Sequence, residues 1–165
     1  MTVQSPILDG SQRARLAGYT DLLSLVERLH RLILDVIKDE FERLGVQEIN
    51  PVQALLLFNI GEAEVTAGEL KSRGYYQGSN VSYNLKKLVD LGYMHHQRSE
   101  LDRRSVRVRL TEKGRRMRGM LASLFDRHCE VIERKTLLDA AGMEEVNSAL
   151  RRMERFWGDQ IRYIY

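Results

Sequence analysis

The chain is poor in the residues that build most specialised chemistry. Of its 165 residues one is cysteine, Cys129, and two are proline, Pro6 and Pro51. A single thiol excludes an intramolecular disulfide and a thiolate metal cage. No apolar run in the chain approaches the ~18 residues of a membrane span. The stretch from Met1 to Gly10 lacks the basic-then-apolar layout of a secretion signal. No segment is enriched in Gly, Ser, Pro or Gln, which argues against disordered linkers. Nucleophile elbows, phosphate-binding glycine loops and carboxylate pairs at a glycine-rich turn are also missing. The expectation is a non-enzymatic protein of a reducing cytoplasm, without cofactor, metal or membrane. Its length suits one domain, 1–165, with a real core.

Charge is small in total, +3, but unevenly spread. Thr66 to Arg116 holds twelve Lys or Arg against five acids, a net +7, so the rest of the chain carries −4. A basic centre between acidic flanks suits a polyanion-binding module on a scaffold that is not itself adhesive.

Helical spacing runs through Leu22, Leu25, Val26, Leu29, Leu32, Ile33, Val36, Ile37, Phe41 and Leu44, and predicts a long helix from Tyr19 to Leu44. Asn50-Pro51 is a helix-start signal, and Val52 to Ile60 is apolar nearly all round, as a buried helix is. Thr66 with Glu69 forms a capping box for a short helix over Ala67 to Arg73. A further helix is expected from Ser79 to Leu91. Tyr93 to Ser99 and Ser105 to Leu110 read as two strands, the second alternating Val106, Val108, Leu110 with Arg107, Arg109. Thr111 caps a long amphipathic helix, and a last one is expected from Met143 to Ile161.

Two short helices joined by a glycine-containing turn and followed by a basic hairpin make a winged helix-turn-helix. The fold class is therefore mainly α with a small β-hairpin wing, flanked by long dimerisation helices. The boundaries are 19–49 and 117–165 for those helices and 50–116 for the DNA-binding region. The second helix of such a motif enters the major groove. A helical wheel turns Val81, Leu85, Leu88 and Val89 to the core. Ser79, Ser82, Tyr83, Lys86 and Lys87 project away, Asp90 lies at the distal end, and Asn80 and Asn84 lie on the flanks. Small hydroxyls approach base edges closely, Tyr83 suits a thymine methyl or a phosphate, and the lysines suit phosphate or guanine acceptors. Asn80 joins them as a candidate contact.

The loop Glu100-Leu101-Asp102-Arg103-Arg104 supplies the second contact, through Arg103 and Arg104. Arg104 has the length and charge to enter a narrow minor groove. Asp102 is a poor DNA contact, and its useful role is to hold an arginine such as Arg98 in an ion pair that shapes the loop.

These residues carry a family likeness. Asp102-Arg103-Arg104 followed by Ser105 to Leu110 and Leu110-Thr111-Glu112-Lys113-Gly114 resembles the wing signature of MarR-type regulators, D-x-R, a strand and L-T-x-x-G. Gly78 to Tyr93 fills that family's recognition-helix slot and ends in a Leu-x-x-x-Gly-aromatic pattern. The likeness in element order spans Leu22 to Trp157. It implies an entwined homodimer on a pseudopalindromic operator in double-stranded DNA, more often a repressor, released by a small-molecule effector. It also implies Arg104 as the minor-groove arginine with Asp102 ordering its loop, and an effector pocket between the dimer helices and the DNA head. Phe41, Leu55 and Phe58 are the candidates to line that pocket. More narrowly, Gly78 to Val89 is similar to alphaproteobacterial members that regulate L,D-transpeptidase genes.

Dimerisation also follows from the long apolar stripes at the two ends, which exceed what one small core can bury. Other readings stay open: a winged-helix module for an acidic protein partner, and a metal- or redox-sensing regulator. For the first of these sensors the ligands are scattered. His95 and His96 are adjacent on a strand and point to opposite faces, and His30 and His128 sit on different helices. Cys129, in the penultimate helix, is the one residue for the second.

Overall fold

The computed structural model describes residues 9–62, 64–66, 69–70, 78–98 and 106–164; for 78–80, 98, 106 and 162–164 it describes the backbone alone. The described elements are α1 (Gly10–Leu44), α2 (Pro51–Ile60), β1 (Val65–Thr66), α3 (Gly78–Asp90), β2 (Met94–Arg98), β3 (Val106–Leu110), α4 (Glu112–Arg134) and α5 (Ala140–Ile164). The chain divides into two compact units, Met1–Leu121 and Ala122–Tyr165.

In the first unit, α1 starts nine residues before the expected Tyr19, because Asp9 caps it. The Asp9 carboxylate accepts the Gln12 N–H at 2.8 Å, and the Gln12 side chain accepts the Asp9 N–H at 2.9 Å. The opening turns are polar, so the apolar period conceals this start. Gly45 ends α1 at φ 70°, in the left-handed region that favours glycine. Asn50 and Gln53 form the same reciprocal cap on α2, with Pro51 in its first turn. Within α2, Ala54, Leu56, Leu57 and Ile60 are buried, and α2 packs on α1 and against β3.

Of the expected short helix, Glu69 and Leu70 are described, and both are helical. Thr66 and Glu69 cap it reciprocally, at 2.6 and 3.1 Å. Thr66 also belongs to a strand too short for any period to reveal. β1 pairs antiparallel with β3, which pairs antiparallel with β2, so the sheet order is β1-β3-β2. The hairpin register sets Met94 opposite Leu110 and His96 opposite Val108. Met94, Val108 and Leu110 are buried and α3 packs on β2.

In the second unit, α4 and α5 meet through a tight turn. The Leu137 N–H reaches the Ile132 carbonyl at 3.1 Å. The Asp139 carboxylate accepts the Gly142 N–H at 2.8 Å, so α5 begins at Ala140, three residues before the expected Met143. Thr136 takes φ 51° in this turn. A β-branched residue is strained there by roughly 1 kcal/mol. Asn tolerates the conformation, so Thr136→Asn should add about 0.5–1 kcal/mol and raise the melting temperature by about 2 °C. An unchanged melt would show that the turn relaxes in solution.

Candidate nucleic-acid interface

Thirteen residues, Gly78–Asp90, form α3. One face of it is core: Val81 and Leu88 are fully buried and Leu85 nearly so. The other face holds Ser82, Tyr83, Lys86 and Lys87, all exposed, Tyr83 at 67 %. These four share a surface because residues four apart stack one turn above another. They combine a small hydroxyl, an aromatic hydroxyl and two cations, with Asp90 exposed beyond them. Ser79 and Asn80 lie in the first turn of α3, where the free N–H groups and the helix dipole favour an anion. From β3, Arg107 and Arg109 are exposed on the strand face opposite buried Val108 and Leu110. Arg107 reaches Glu64 at 3.4 Å.

The exit of α3 is held from several sides. Gly92, at φ 76°, turns the chain into β2. Thr111 Oγ1 donates to the Gly92 carbonyl at 2.7 Å and accepts the Gly114 N–H at 3.1 Å, while the Thr111 N–H donates to the Tyr93 carbonyl at 3.0 Å. A Cβ on Gly114 would stand 2.2 Å from that Tyr93 oxygen. Glycine is there because two backbones touch. The Tyr93 hydroxyl donates to Glu48 at 2.8 Å, and Lys113 Nζ lies 2.7 Å from the same carboxylate oxygen. Lys113 also donates to the Leu91 carbonyl at 3.1 Å and sits 4.4 Å from the centre of the Tyr93 ring. Burial, then the bond to Glu48, pushes the Tyr93 phenol up to about 12. Bonds from Lys113 and then Tyr93 hold the Glu48 carboxyl below its ordinary value.

A cavity of about 490 Å³ opens between α3 and the sheet. Leu85, Val89 and Val108 give it an apolar lining, and Ser82, Lys86, Asp90 and His96 add polar groups. Two of these, Ser82 and Lys86, also belong to the exposed face of α3.

A family model described as a winged helix DNA-binding domain matches residues 49–114. Over 161 residues the chain is 37% identical to the exopolysaccharide II synthesis transcriptional activator ExpG of Rhizobium meliloti (strain 1021), covering 98% of this chain and 82% of the relative. The crystal structure of a MarR transcriptional regulator from Methanosarcina mazei Go1 matches with TM-score 0.68 and 25% identity, covering 84% of this chain and 98% of that one. The chain belongs to the MarR family. This MarR-family protein is a DNA-binding transcriptional regulator with a winged helix-turn-helix. A mutant MarR of E. coli complexed with operator DNA shares the fold, with TM-score 0.64 and 21% identity over 81% of this chain and 93% of that one.

In this MarR-family chain the residues expected on the reading helix lie on α3. Asp102, Arg103 and Arg104 lie outside the described residues. Asn84, expected on a flank of α3, is covered there. It is buried at 9 % exposure, and its Oδ1 accepts from Gln53 Nε2 at 3.2 Å. A single-helix wheel cannot register this, because α2 covers that flank. Phe41 is core at 4 % exposure, whereas Leu55 and Phe58 are half-buried, with the Arg118 guanidinium 5.8 Å from the Phe58 ring. Among the described residues no three of His, Cys, Asp and Glu come together, and no helix is long and apolar enough to cross a membrane. Cys129 is exposed beside a small cavity of about 220 Å³ lined by Ile132, Leu138 and Met143.

Glu48 and Gln53 carry no sequence signal of their contacts, and Lys113 is marked only as a variable position of the L-T-x-x-G pattern. Tyr93 and Gly114 were visible as letters of the Leu-x-x-x-Gly-aromatic and L-T-x-x-G patterns. Their contact with each other was not.

Proposed function

We propose that the chain acts as a homodimer that reads a pseudopalindromic operator, with α3 in the major groove and the wing arginine Arg104 in the minor groove. The observation that carries this is the exposed face of α3, where Ser82, Tyr83, Lys86 and Lys87 stand together over a buried apolar face. Ser79 and Asn80, in the first turn of α3, and Arg103 in the wing are proposed as further contacts, with Asp102 ordering the wing loop. Pairing of two chains is supported by the apolar surface left exposed on α1 (Leu16, Leu23, Leu25, Val26, Leu29, Leu32) and on α5 (Val146, Leu150, Phe156, Ile161). Such ridges at helical spacing are poor solvent-facing surfaces and good isologous interfaces.

Regulation by a small effector is part of the same reading. Phe41, Leu55 and Phe58 remain candidates for its pocket. The cavity beneath Ser82 and Lys86 offers a second place, where a ligand would compete with DNA for two side chains. On the sign of regulation, repression by occlusion is the first reading. The relative named as a transcriptional activator favours a second, activation from an upstream operator. A reporter carrying the operator on either side of a promoter separates them.

The test is duplex affinity against salt. Each phosphate neutralised releases counterions, so affinity should fall steeply as salt rises, with a log–log slope of about −0.9 per contact. Arg104→Ala should weaken binding by about tenfold and flatten that slope by about one contact. Equal, weak binding to every duplex at every salt concentration would instead favour the acidic-protein partner.

A further inference from the structure

Recognition of base edges tolerates little error in where a helix lies. Side chains must be held within about 0.5 Å and 10–20° of their productive geometry. With a helix radius of about 5–6 Å, a 20° roll of α3 about its axis moves the reading side chains by about 2 Å. The core side of α3 is made by Val81, Leu85 and Leu88. Apolar contacts of this kind are non-directional, so by themselves they leave the roll angle loosely defined.

One directional contact crosses that apolar side. Gln53 is buried at 4 % exposure in the first turn of α2, and its Nε2 donates to Asn84 Oδ1 at 3.2 Å. The other end of the same amide is also committed: Gln53 Oε1 accepts the Asn50 N–H at 3.1 Å, while the Gln53 N–H donates to Asn50 Oδ1 at 2.9 Å. Turning the amide over would set its NH2 against the Asn50 N–H, donor to donor, so the cap dictates which end faces α3. A second tie joins the exit of α3 to the α1–α2 connection, where the Tyr93 hydroxyl donates to Glu48. A buried amide pair is a costly substitute for an apolar one, and leaving either member unpaired costs more.

We propose that Gln53 and Asn84 are positioning residues for base readout: the buried amide tie sets the roll of α3 from the first turn of α2. The proposal rests on the reading role proposed for the face of α3, and neither residue touches DNA in it.

The test begins with the duplex that the full-length wild-type protein selects from random DNA. Affinity for it is compared with affinity for a scrambled duplex of the same composition and salt. In the double variant Gln53→Met with Asn84→Leu, apolar groups of similar volume replace both partners of the tie. The methionine side chain no longer accepts the Asn50 N–H, so the cap of α2 should weaken. Discrimination between the duplexes should fall at least tenfold, about 1.4 kcal/mol, while scrambled-duplex affinity and salt slope stay within about twofold of wild type. Asn84→Asp keeps the acceptor facing Gln53 and should retain most of the discrimination. Should the double variant melt below the assay temperature, Asn84→Leu alone carries the same expectation. Wild-type discrimination in either apolar variant overturns the proposal, and so does an equal loss for both duplexes. A wild-type protein that prefers no sequence overturns the reading face itself, which is a separate and recognisable failure.

Discussion

Replacing Gly114 by alanine should cost about 2–3 kcal/mol of stability and abolish tight DNA binding near the melting range. The added Cβ would lie 2.2 Å from the Tyr93 carbonyl oxygen and 3.3 Å from Leu110 Cδ2. The first neighbour is backbone, so no rotamer change relieves the clash. The start of α4 cannot simply back away, because Thr111 holds it to Gly92 and Tyr93 through bonds of 2.7 and 3.0 Å. Overpacking costs about 1–3 kcal/mol and occasionally more, a clash with backbone belongs at or above the upper end, and alanine's better helix propensity returns less than about 1. For a chain of this length the melting temperature should drop by about 5–10 °C. Gly119 gives the contrast. It is also in α4, but a Cβ there meets nothing within 4 Å, so Gly119→Ala should be neutral or stabilising by up to about 1 kcal/mol. Similar melts for the two variants would mean that the contact between α4 and the α3 exit is looser than described.

Tyr83→Ala should remove sequence preference while sparing the fold. The side chain is 67 % exposed, so its loss opens no cavity and a melt should move by less than about 0.5 kcal/mol. Under the proposed reading Tyr83 meets a base edge, and losing the match at one base pair costs about 1–3 kcal/mol, so the preferred duplex should lose about 10–100-fold in affinity. The scrambled duplex should lose much less. Lys86→Ala and Lys87→Ala should behave differently, weakening both duplexes together and flattening the salt dependence by about one contact each. Competition assays against both duplexes distinguish the patterns. Uniform weakening by Tyr83→Ala would move that residue from base readout to phosphate contact.

The parts of the fold visible in the sequence are those with local causes. Asn50-Pro51, Thr66 with Glu69, and Gly45 announce helix ends through their own side chains or backbone freedom. The 3.6 period placed α3 and its exposed face, because Val81, Leu85 and Leu88 can be buried only together. Long-range contacts were not visible. The Gln53–Asn84 bond spans 31 residues and the Tyr93–Glu48 bond 45, and no local pattern encodes either pairing. The two-residue β1 is too short for alternation. The polar first turns of α1 contain too few apolar residues to extend its stripe back to Asp9. Gly114 shows the limit well: the family pattern marks the position, and only the neighbouring Tyr93 carbonyl explains the residue.

In the proposed function, DNA is read by one side of α3 and two chains pair through the exposed apolar ridges of α1 and α5. Those features make a joint demand on the operator. Two copies of α3 related by a two-fold axis must meet two half-sites in opposite orientation, about one helical turn apart. Selection of bound fragments from genomic DNA by the full-length protein, followed by footprinting, measures this directly. The regulator reading predicts an enriched inverted repeat with half-site centres about 10–10.5 base pairs apart, or a multiple of that. No enriched motif, or a single half-site without a symmetric mate, would contradict it.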